Sequence, residues 1–308
     1  MEELERFVPG IDGQIWYEHW HRYHFAAPFA AGKAVADVAC GEGYGSALLA
    51  RSAASVTGID ASAETVAAAR RRYSGPPGLA YVEGRCEALP LGEASIDLVV
   101  SFETLEHLEN PRALIAEAAR VLRPGGVLMV STPNKAIYSD KADYRNPFHP
   151  SEMYESEFVA TLRERFAHVR LFGQRVDAYS AIWPVERDAE SAQLLQARAA
   201  SGADAAPGVP DPVYFIAVCA REPQAVEAIG APFSLLADRD HRVWSNCESV
   251  ERLLAEARVH SDRVEAAFIE AQRRLALLLQ ERERLLAEGR GARPAPAAAP
   301  ARGEWPPR

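Results

Sequence analysis

The apolar residues of this chain follow two rhythms. In the first, short apolar runs alternate with segments in which apolar residues return every three or four positions. Runs at 34–40, 55–60, 79–84, 95–102 and 127–133 are bounded by glycine, proline or polar residues, which predicts five strands. The segments 45–53, 62–73 and 110–122 have helical spacing. Ser62 is placed to cap the second of these, with Glu64 in its first turn, and the glycines and prolines of 74–78 end it. Asn110 is placed to cap the third, with Pro111 at its first position and a Pro124-Gly125-Gly126 turn after it. Strand–helix alternation of this kind predicts an α/β fold, a doubly wound, mostly parallel sheet with helices on both faces. After a loop at 134–152, a helix at 157–166 and strands at 167–176 and 211–220 bring the expected sheet to seven strands. A helix at 15–27 precedes it, ending before Pro28. The segment 186–210, rich in Ala, Gly, Asp and Pro, is expected to be a mobile insertion.

The second rhythm begins near residue 247. Val250, Leu254, Ala257, Val264, Phe268, Ala271, Leu275, Leu278 and Leu285 recur at spacings of three and four, with Ser261 and Arg282 as the weak points. This predicts one long amphipathic, coiled-coil-like helix over 247–288 and self-association or a partner helix through it. Its charged face mixes both signs, which argues against membrane attachment. The expected organisation is a domain over 1–222, a connector over 223–246, the helix, and a disordered Pro- and Ala-rich tail over 289–308.

Composition narrows the partners. A net charge of -9 weighs against a nucleic-acid substrate. Cys40, Cys86, Cys219 and Cys247 form no CxxC pair, so no zinc site or disulfide framework is expected. The first residues are acidic and lack an apolar stretch, and no segment is apolar enough to span a bilayer, so the expected location is cytoplasmic.

Candidate chemistry sits at the ends of the first strands, where open α/β sheets bind ligands. Gly41, Gly43 and Gly45 follow strand one and precede a helix, a turn whose backbone can approach a ligand and whose helix N-terminus offers free N–H groups. Asp60 ends strand two, where a carboxylate can accept hydrogen bonds from ribose hydroxyls. The GxGxG spacing differs from the GxGxxG of nicotinamide dehydrogenases, and Asp37 and Cys40 are atypical of them.

Five segments in order, ADVACGEGYG, VTGID, YVEGRCEALP, SIDLVVSFETLEHL and ARVLRPGGVLMVSTPN, resemble the motifs of class I S-adenosylmethionine-dependent methyltransferases over residues 35–134. The resemblance implies a Rossmann-like fold with S-adenosylmethionine as cofactor. It implies that Gly41, Glu42, Gly43 and Gly45 surround the amino-acid end of that cofactor. Cys40 belongs to the same cofactor-binding turn, and Asp37 either contacts the cofactor or only ties the loop together. Asp60 would hold the ribose; Arg85, Cys86 and Glu87 would border the adenine; Ser101 and Phe102 would lie near the sulfonium. Many relatives carry an acid at the position of Arg85, which has only donors, so Glu87 or backbone must accept from the adenine amine. Cys40 and Cys86 read as small loop residues, with nothing beside them to activate a thiolate.

For a hydroxyl acceptor a base near neutral pKa is useful, and the candidates are His107 and His149, with Glu106 as a further option. His19, His21 and His24 cluster without a carboxylate-rich partner, so no metal site is expected. Trp16, Tyr17, Trp20, Arg22 and Tyr23 either form a lid over the cofactor or pack the first helix onto the sheet. ERFVPG, EHWHRYHFA, SFETLEHL, NPFHPSE and Phe172–Gln174 together resemble methyltransferases of bacterial polysaccharide and glycosylated natural-product pathways. That implies a sugar-like acceptor. The alternatives are O- or N-methylation of a non-sugar metabolite, or a non-catalytic assembly module on a vestigial cofactor fold.

Overall fold

The computed structural model describes residues 14–177, 195–196, 206–207, 209, 211–238 and 242–291. The chain divides into two compact units, Met1–Arg242 and Val243–Arg308. The first unit runs α1 (Gln14–Ala30), β1 (Ala34–Val38), α2 (Tyr44–Leu49), β2 (Ser55–Asp60), α3 (Ala63–Arg72), β3 (Leu79–Glu83) and β4 (Ile96–Ser101). It continues with α4 (Pro111–Val121), β5 (Leu122–Pro133), α5 (Glu155–Arg163), β6 (His168–Gln174), β7 (Leu195–Gln196), β8 (Ala206–Pro207), β9 (Tyr214–Ala220) and α6 (Pro223–Glu227). The second unit holds α7 (Arg242–Gly291).

Seven strands form one sheet in the order β3-β2-β1-β4-β5-β9-β6. Neighbours are parallel from β3 to β5, and β9 runs antiparallel to both β5 and β6. This is the Rossmann-like, doubly wound, mostly parallel sheet expected from the sequence. Alternation along the strands builds two cores. Leu128 and Val130 of β5, with Phe215, Ala217 and Cys219 of β9, pack with Leu114, Ile115 and Ala118 of α4 and Phe158 and Leu162 of α5. Val127 and Met129, with Ile216 and Val218, pack on the other face with Tyr23, Ala26 and Ala30 of α1, Leu48 and Leu49 of α2, and Val226 of α6. Strands covered on both faces read as unbroken apolar runs, which is why they stood out in the sequence.

Several boundaries differ from expectation. Helix α1 continues through Pro28 to Ala30. The hydrogen bond lost at proline is offset by complete burial of Ala26 and Ala30. Ser62 caps α3 by accepting from the Thr65 N–H at 3.2 Å, but the Asn110 side chain makes no cap at α4, whose Pro111 start carries the turn. The Pro124-Gly125-Gly126 turn lies within β5 as a register shift, Ile96 pairing Leu122 and Leu98 pairing Val127. The connector contains α6, and α7 begins five residues before the expected 247. Of the segment 186–210, the two-residue ladder of β7 and β8 and Val209 are described. The tail beyond 291 and the ERFVPG segment lie outside the described residues. No helix of the described residues is long and apolar enough to cross a membrane.

Strand β1 pairs β2 on one side and β4 on the other, so successive crossovers leave it in opposite directions. Open α/β sheets bind ligands in the crevice at the carboxyl ends of the strands at such a switch point, which makes these ends the candidate site. Both loops entering it are strained: Ala39 after β1 has φ 59° and Glu103 after β4 has φ 51°. Such backbone costs about 1–3 kcal/mol per residue and is retained where surrounding structure imposes it.

Candidate active site

The glycine-rich turn follows β1, and its three glycines have three different surroundings. A Cβ at Gly43 would fall 2.5 Å from the Tyr81 ring, whose hydroxyl donates to the Gly43 carbonyl at 2.7 Å. A Cβ at Gly45 would fall 2.0 Å from the ring of Tyr23 on α1. Two of the glycines therefore make room for aromatic side chains of the protein itself. At Gly41, with φ 53°, no described atom lies within 4 Å of the Cβ position, so this is the open face of the turn.

Carboxylates tie the turn down. Asp60 at the tip of β2 accepts from the Gly41 N–H at 3.0 Å and from the Ser62 N–H at 2.9 Å. Its oxygens have capacity for further donors. Asp37 is fully buried and accepts from the Ser46 hydroxyl at 2.6 Å and the Tyr23 hydroxyl at 3.1 Å. Burial pushes its carboxyl up to about 6. It binds β1, α2 and α1 together. Burial also pushes the Cys40 thiol far up and Cys86 up to about 11, so neither is a ready thiolate. Glu42 pairs with Arg72 at 3.0 Å, and Arg85 with Glu87 at 3.3 Å on the surface.

The tip of β4 is built differently. Ser101 is fully buried, and its Oγ has no hydrogen-bond partner among the described residues. Phe102 stacks edge-on against Tyr23 at 5.2 Å. Glu103 comes next; its N–H donates to Ser131 Oγ at 3.0 Å, and that hydroxyl donates back to Glu103 Oε1 at 2.7 Å. Arg22 Nη2 lies 3.5 Å from the same Oε1.

Arg22 was expected only as part of a lid. It is 1% exposed and held on all sides. Its Nε donates to Gln174 Oε1 at 2.7 Å, and its guanidinium rests 4.5 Å over the Tyr214 ring. Gln174 donates back to the Glu18 carbonyl at 2.9 Å, and the Tyr214 hydroxyl donates to the Glu18 carboxylate at 3.1 Å. Nη1 and Nη2 make no hydrogen bond among the described residues. A buried, charged fork with open donors is suited to an incoming carboxylate or other acceptor oxygen. Glu18 and Glu103 were not singled out in the sequence, whereas Arg22 was, as one of the residues that could cover the cofactor. The available signal was Gln14, Glu18 and Arg22 recurring every four residues along one stripe of an otherwise aromatic helix.

A third group lies beyond Glu103. Glu106, on a single 3-10 turn at Leu105–His107, is 1% exposed, and Thr132 Oγ1 approaches its Oε2 at 3.4 Å. Burial, then the charge of Glu103, holds its carboxyl well above the usual range. His107 Nδ1 is 3.0 Å from the Phe148 carbonyl. His149 Nδ1 is 2.9 Å from Glu152 Oε1, and its Nε2 is 3.1 Å from Asn146 Nδ2. The two imidazoles meet edge to face at 4.7 Å. Tyr138 lies 5.6 Å from the His149 ring and 5.9 Å from the Tyr214 ring, so an aromatic series connects this group with Arg22. The structure thus brings both proposed bases and Glu106 together. It sends His19 to the Tyr44 hydroxyl at 3.0 Å and His21 to Ser234 at 2.8 Å, so each is engaged elsewhere. Trp16, Trp20, Tyr23 and Tyr44 pack on one another, and Trp16, Trp20 and Tyr23 join the core on the α1 face, which favours packing over a lid.

Known proteins are similar to parts of this chain. A family model described as a methyltransferase domain matches residues 36–130. A Mycolicibacterium smegmatis protein named a probable S-adenosylmethionine-dependent methyltransferase is 40% identical over 161 residues, 51% of this chain and 62% of that protein. The chain thus spans less than two thirds of that relative's length. The ubiquinone biosynthesis O-methyltransferase of Cupriavidus pinatubonensis is 33% identical over 184 residues, 54% of this chain and 74% of that relative. Among solved structures, an S-adenosylmethionine-dependent methyltransferase from Mesorhizobium loti is similar over 65% of this chain and 96% of its own, at 19% identity and TM-score 0.43.

Proposed function

The chain belongs to the S-adenosylmethionine-dependent methyltransferases, and from that membership we propose that it transfers a methyl group from S-adenosylmethionine to a hydroxyl of a small acceptor, with a sugar or glycan the leading class. One observation carries the reading. The open face of Gly41, the Asp60 carboxylate and the buried Ser101 Oγ, which has no partner among the described residues, stand at the ends of strands β1, β2 and β4, around the switch point of the sheet. They fit the group: a backbone turn without a Cβ in the way, an acceptor for hydroxyl donors, and a polar atom left for a ligand. Arg85, Cys86 and Glu87, after β3, are assigned to the adenine edge.

When bound, S-adenosylmethionine supplies a methyl group on a positively charged sulfur. The residues of the chain must orient the acceptor oxygen in line with that carbon and take up the hydroxyl proton. We assign the proton to His107, with His149 as the alternative. A carbonyl can only accept, so His107 Nδ1 carries the hydrogen facing Phe148, and Nε2 is the basic nitrogen. The sugar class rests on the resemblance of the first helix and of the SFETLEHL and NPFHPSE segments. The runner-up, a non-sugar metabolite, has support from the relative named for ubiquinone biosynthesis.

The test is calorimetric titration with S-adenosylmethionine, with NADH as control, followed by mass spectrometry of nucleotide sugars, glycosides and phenols incubated with cofactor. Micromolar binding and a product heavier by one methyl group on a sugar are expected. A methylated phenol alone would move the acceptor to the runner-up. No cofactor binding would favour the assembly module.

For α7 we propose pairing with a second copy of itself. Its apolar residues, among them Leu254, Phe268, Leu275 and Leu278, are more than half exposed, and their three–four spacing is the pattern a left-handed coiled coil buries. A monomer in sedimentation equilibrium of the full chain would remove this proposal.

A further inference from the structure

We propose that Glu106, His107 and His149 form a binding site for a divalent transition-metal ion, with zinc the best match to their donors. One ligand atom from each of the three lies within 4.8 Å of the others. Two imidazoles and a carboxylate are an established ligand set for zinc, with a fourth position left open. Bonds of about 2.0–2.2 Å to three donors need donor separations of about 3–3.5 Å. Binding therefore requires the three donors to draw together from their present spacing, which is within 4.8 Å.

The surroundings are those of a metal site. A ligating histidine characteristically donates its other ring N–H to a carboxylate or a backbone carbonyl, which fixes tautomer and ring orientation. Both arrangements are present. His149 Nδ1 faces Glu152 Oε1 at 2.9 Å, and His107 Nδ1 faces the Phe148 carbonyl at 3.0 Å. The proton on each Nδ1 makes Nε2 the ligating nitrogen. Glu152 is held in turn by the Ser139 hydroxyl at 2.5 Å. Asn146 Nδ2, 3.1 Å from His149 Nε2, occupies the place the ion would take there and must turn aside.

Glu106 supplies the anionic ligand. The residue is 1% exposed, and a backbone N–H, the Arg22 charge and Thr132 Oγ1 at 3.4 Å do not fully compensate its charge against burial and the neighbouring Glu103. A dication at the imidazoles supplies the remainder. Ligands come from two separate loops, the turn after β4 and the 146–152 segment after β5, which the Ser151 N–H to Glu106 carbonyl bond at 3.1 Å joins. The ion's role rests on the hydroxyl-transfer reading: with both Nε2 lone pairs on the metal neither imidazole serves as the base, and an acceptor hydroxyl in the open position would be acidified by the ion and lose its proton to solvent.

Cobalt(II) is the probe, because it occupies zinc sites and its visible absorption reports coordination. Protein stripped with chelator and titrated with Co²⁺ is expected to give one intense visible band saturating at one ion per chain. His149→Ala and Glu106→Gln should weaken binding by more than about 100-fold, and Glu152→Gln by about 10–100-fold, through the histidine it orients. Glu106→Gln keeps the side-chain shape, so it serves as the folded control, checked by thermal melting. No visible band in the wild-type protein, or a band that persists unchanged in both ligand variants, would overturn the site. Cobalt bound by a protein that methylates no acceptor would uphold the site and sink the transfer reading. Transfer by a protein that binds no cobalt would do the reverse.

Discussion

The two halves of the crevice are made in opposite ways. The glycine-rich half comes from one stretch of chain, residues 37–62, and its bonds are short-range: Gly41 to Asp60, Ser46 to Asp37, Ser62 to Asp60. The half beyond β4 is assembled from distant segments. Arg22 meets Gln174 across 152 positions, and Gln174 meets Glu18 across 156. The first half exposes backbone at Gly41 beside the Asp60 carboxylate, whereas the second holds buried, charged side chains whose positions depend on the whole sheet. The exception is instructive. Tyr23, from the distant α1, seats its ring on Gly45 and its hydroxyl on Asp37, so even the local motif leans on a remote helix.

Breaking the assembled half should have the largest effect. Arg22→Ala leaves Glu103 and Glu18 without their cation, and a loss of about 3–5 kcal/mol of stability is expected by urea unfolding. A double variant with Glu103→Gln should recover part of it. Equal losses in the single and double variants would mean that the pairing contributes nothing. Next comes chemistry: His107→Ala should lower turnover by about 100-fold or more while cofactor affinity stays the same. Parallel loss of both in kinetics and calorimetry would place His107 in the cofactor half instead. The smallest effect sharpens the contrast within the glycines. Gly45→Ala should cost about 1–3 kcal/mol of stability through collision with Tyr23, partly restored by Tyr23→Leu. Gly41→Ala should cost about 1 kcal/mol for its positive φ and act chiefly on cofactor affinity. If thermal melts show Gly41→Ala to be the more damaging, the assignment of the open face is wrong.

The same division separates what could be read from the chain. All seven sheet strands, the Ser62 cap, the turn at 41–45 and Asp60 were legible. So were His107 and His149 as candidates, because each sits in a loop just after a strand that ends at the crevice. Arg22 and Glu103 were not legible as a pair, and neither was the convergence of Glu106 with both histidines. Pro28 misled for a related reason: a local rule that ends helices was outweighed by burial of Ala26 and Ala30 against the sheet. Asn110 had the right side chain for a cap but makes none.

By itself, the sequence determined the strand–helix order, the faces that must be buried and the turn chemistry. These follow from hydrophobic period and backbone freedom, which are properties of neighbouring residues. Only the tertiary structure decided which glycine remains open, which arginine is buried, and which acid and imidazoles converge. Those outcomes depend on the strand order β3-β2-β1-β4-β5-β9-β6, which brings together the carboxyl ends of strands far apart in sequence. No local pattern encodes that distance, because the free energy that selects it comes from closing both cores at once.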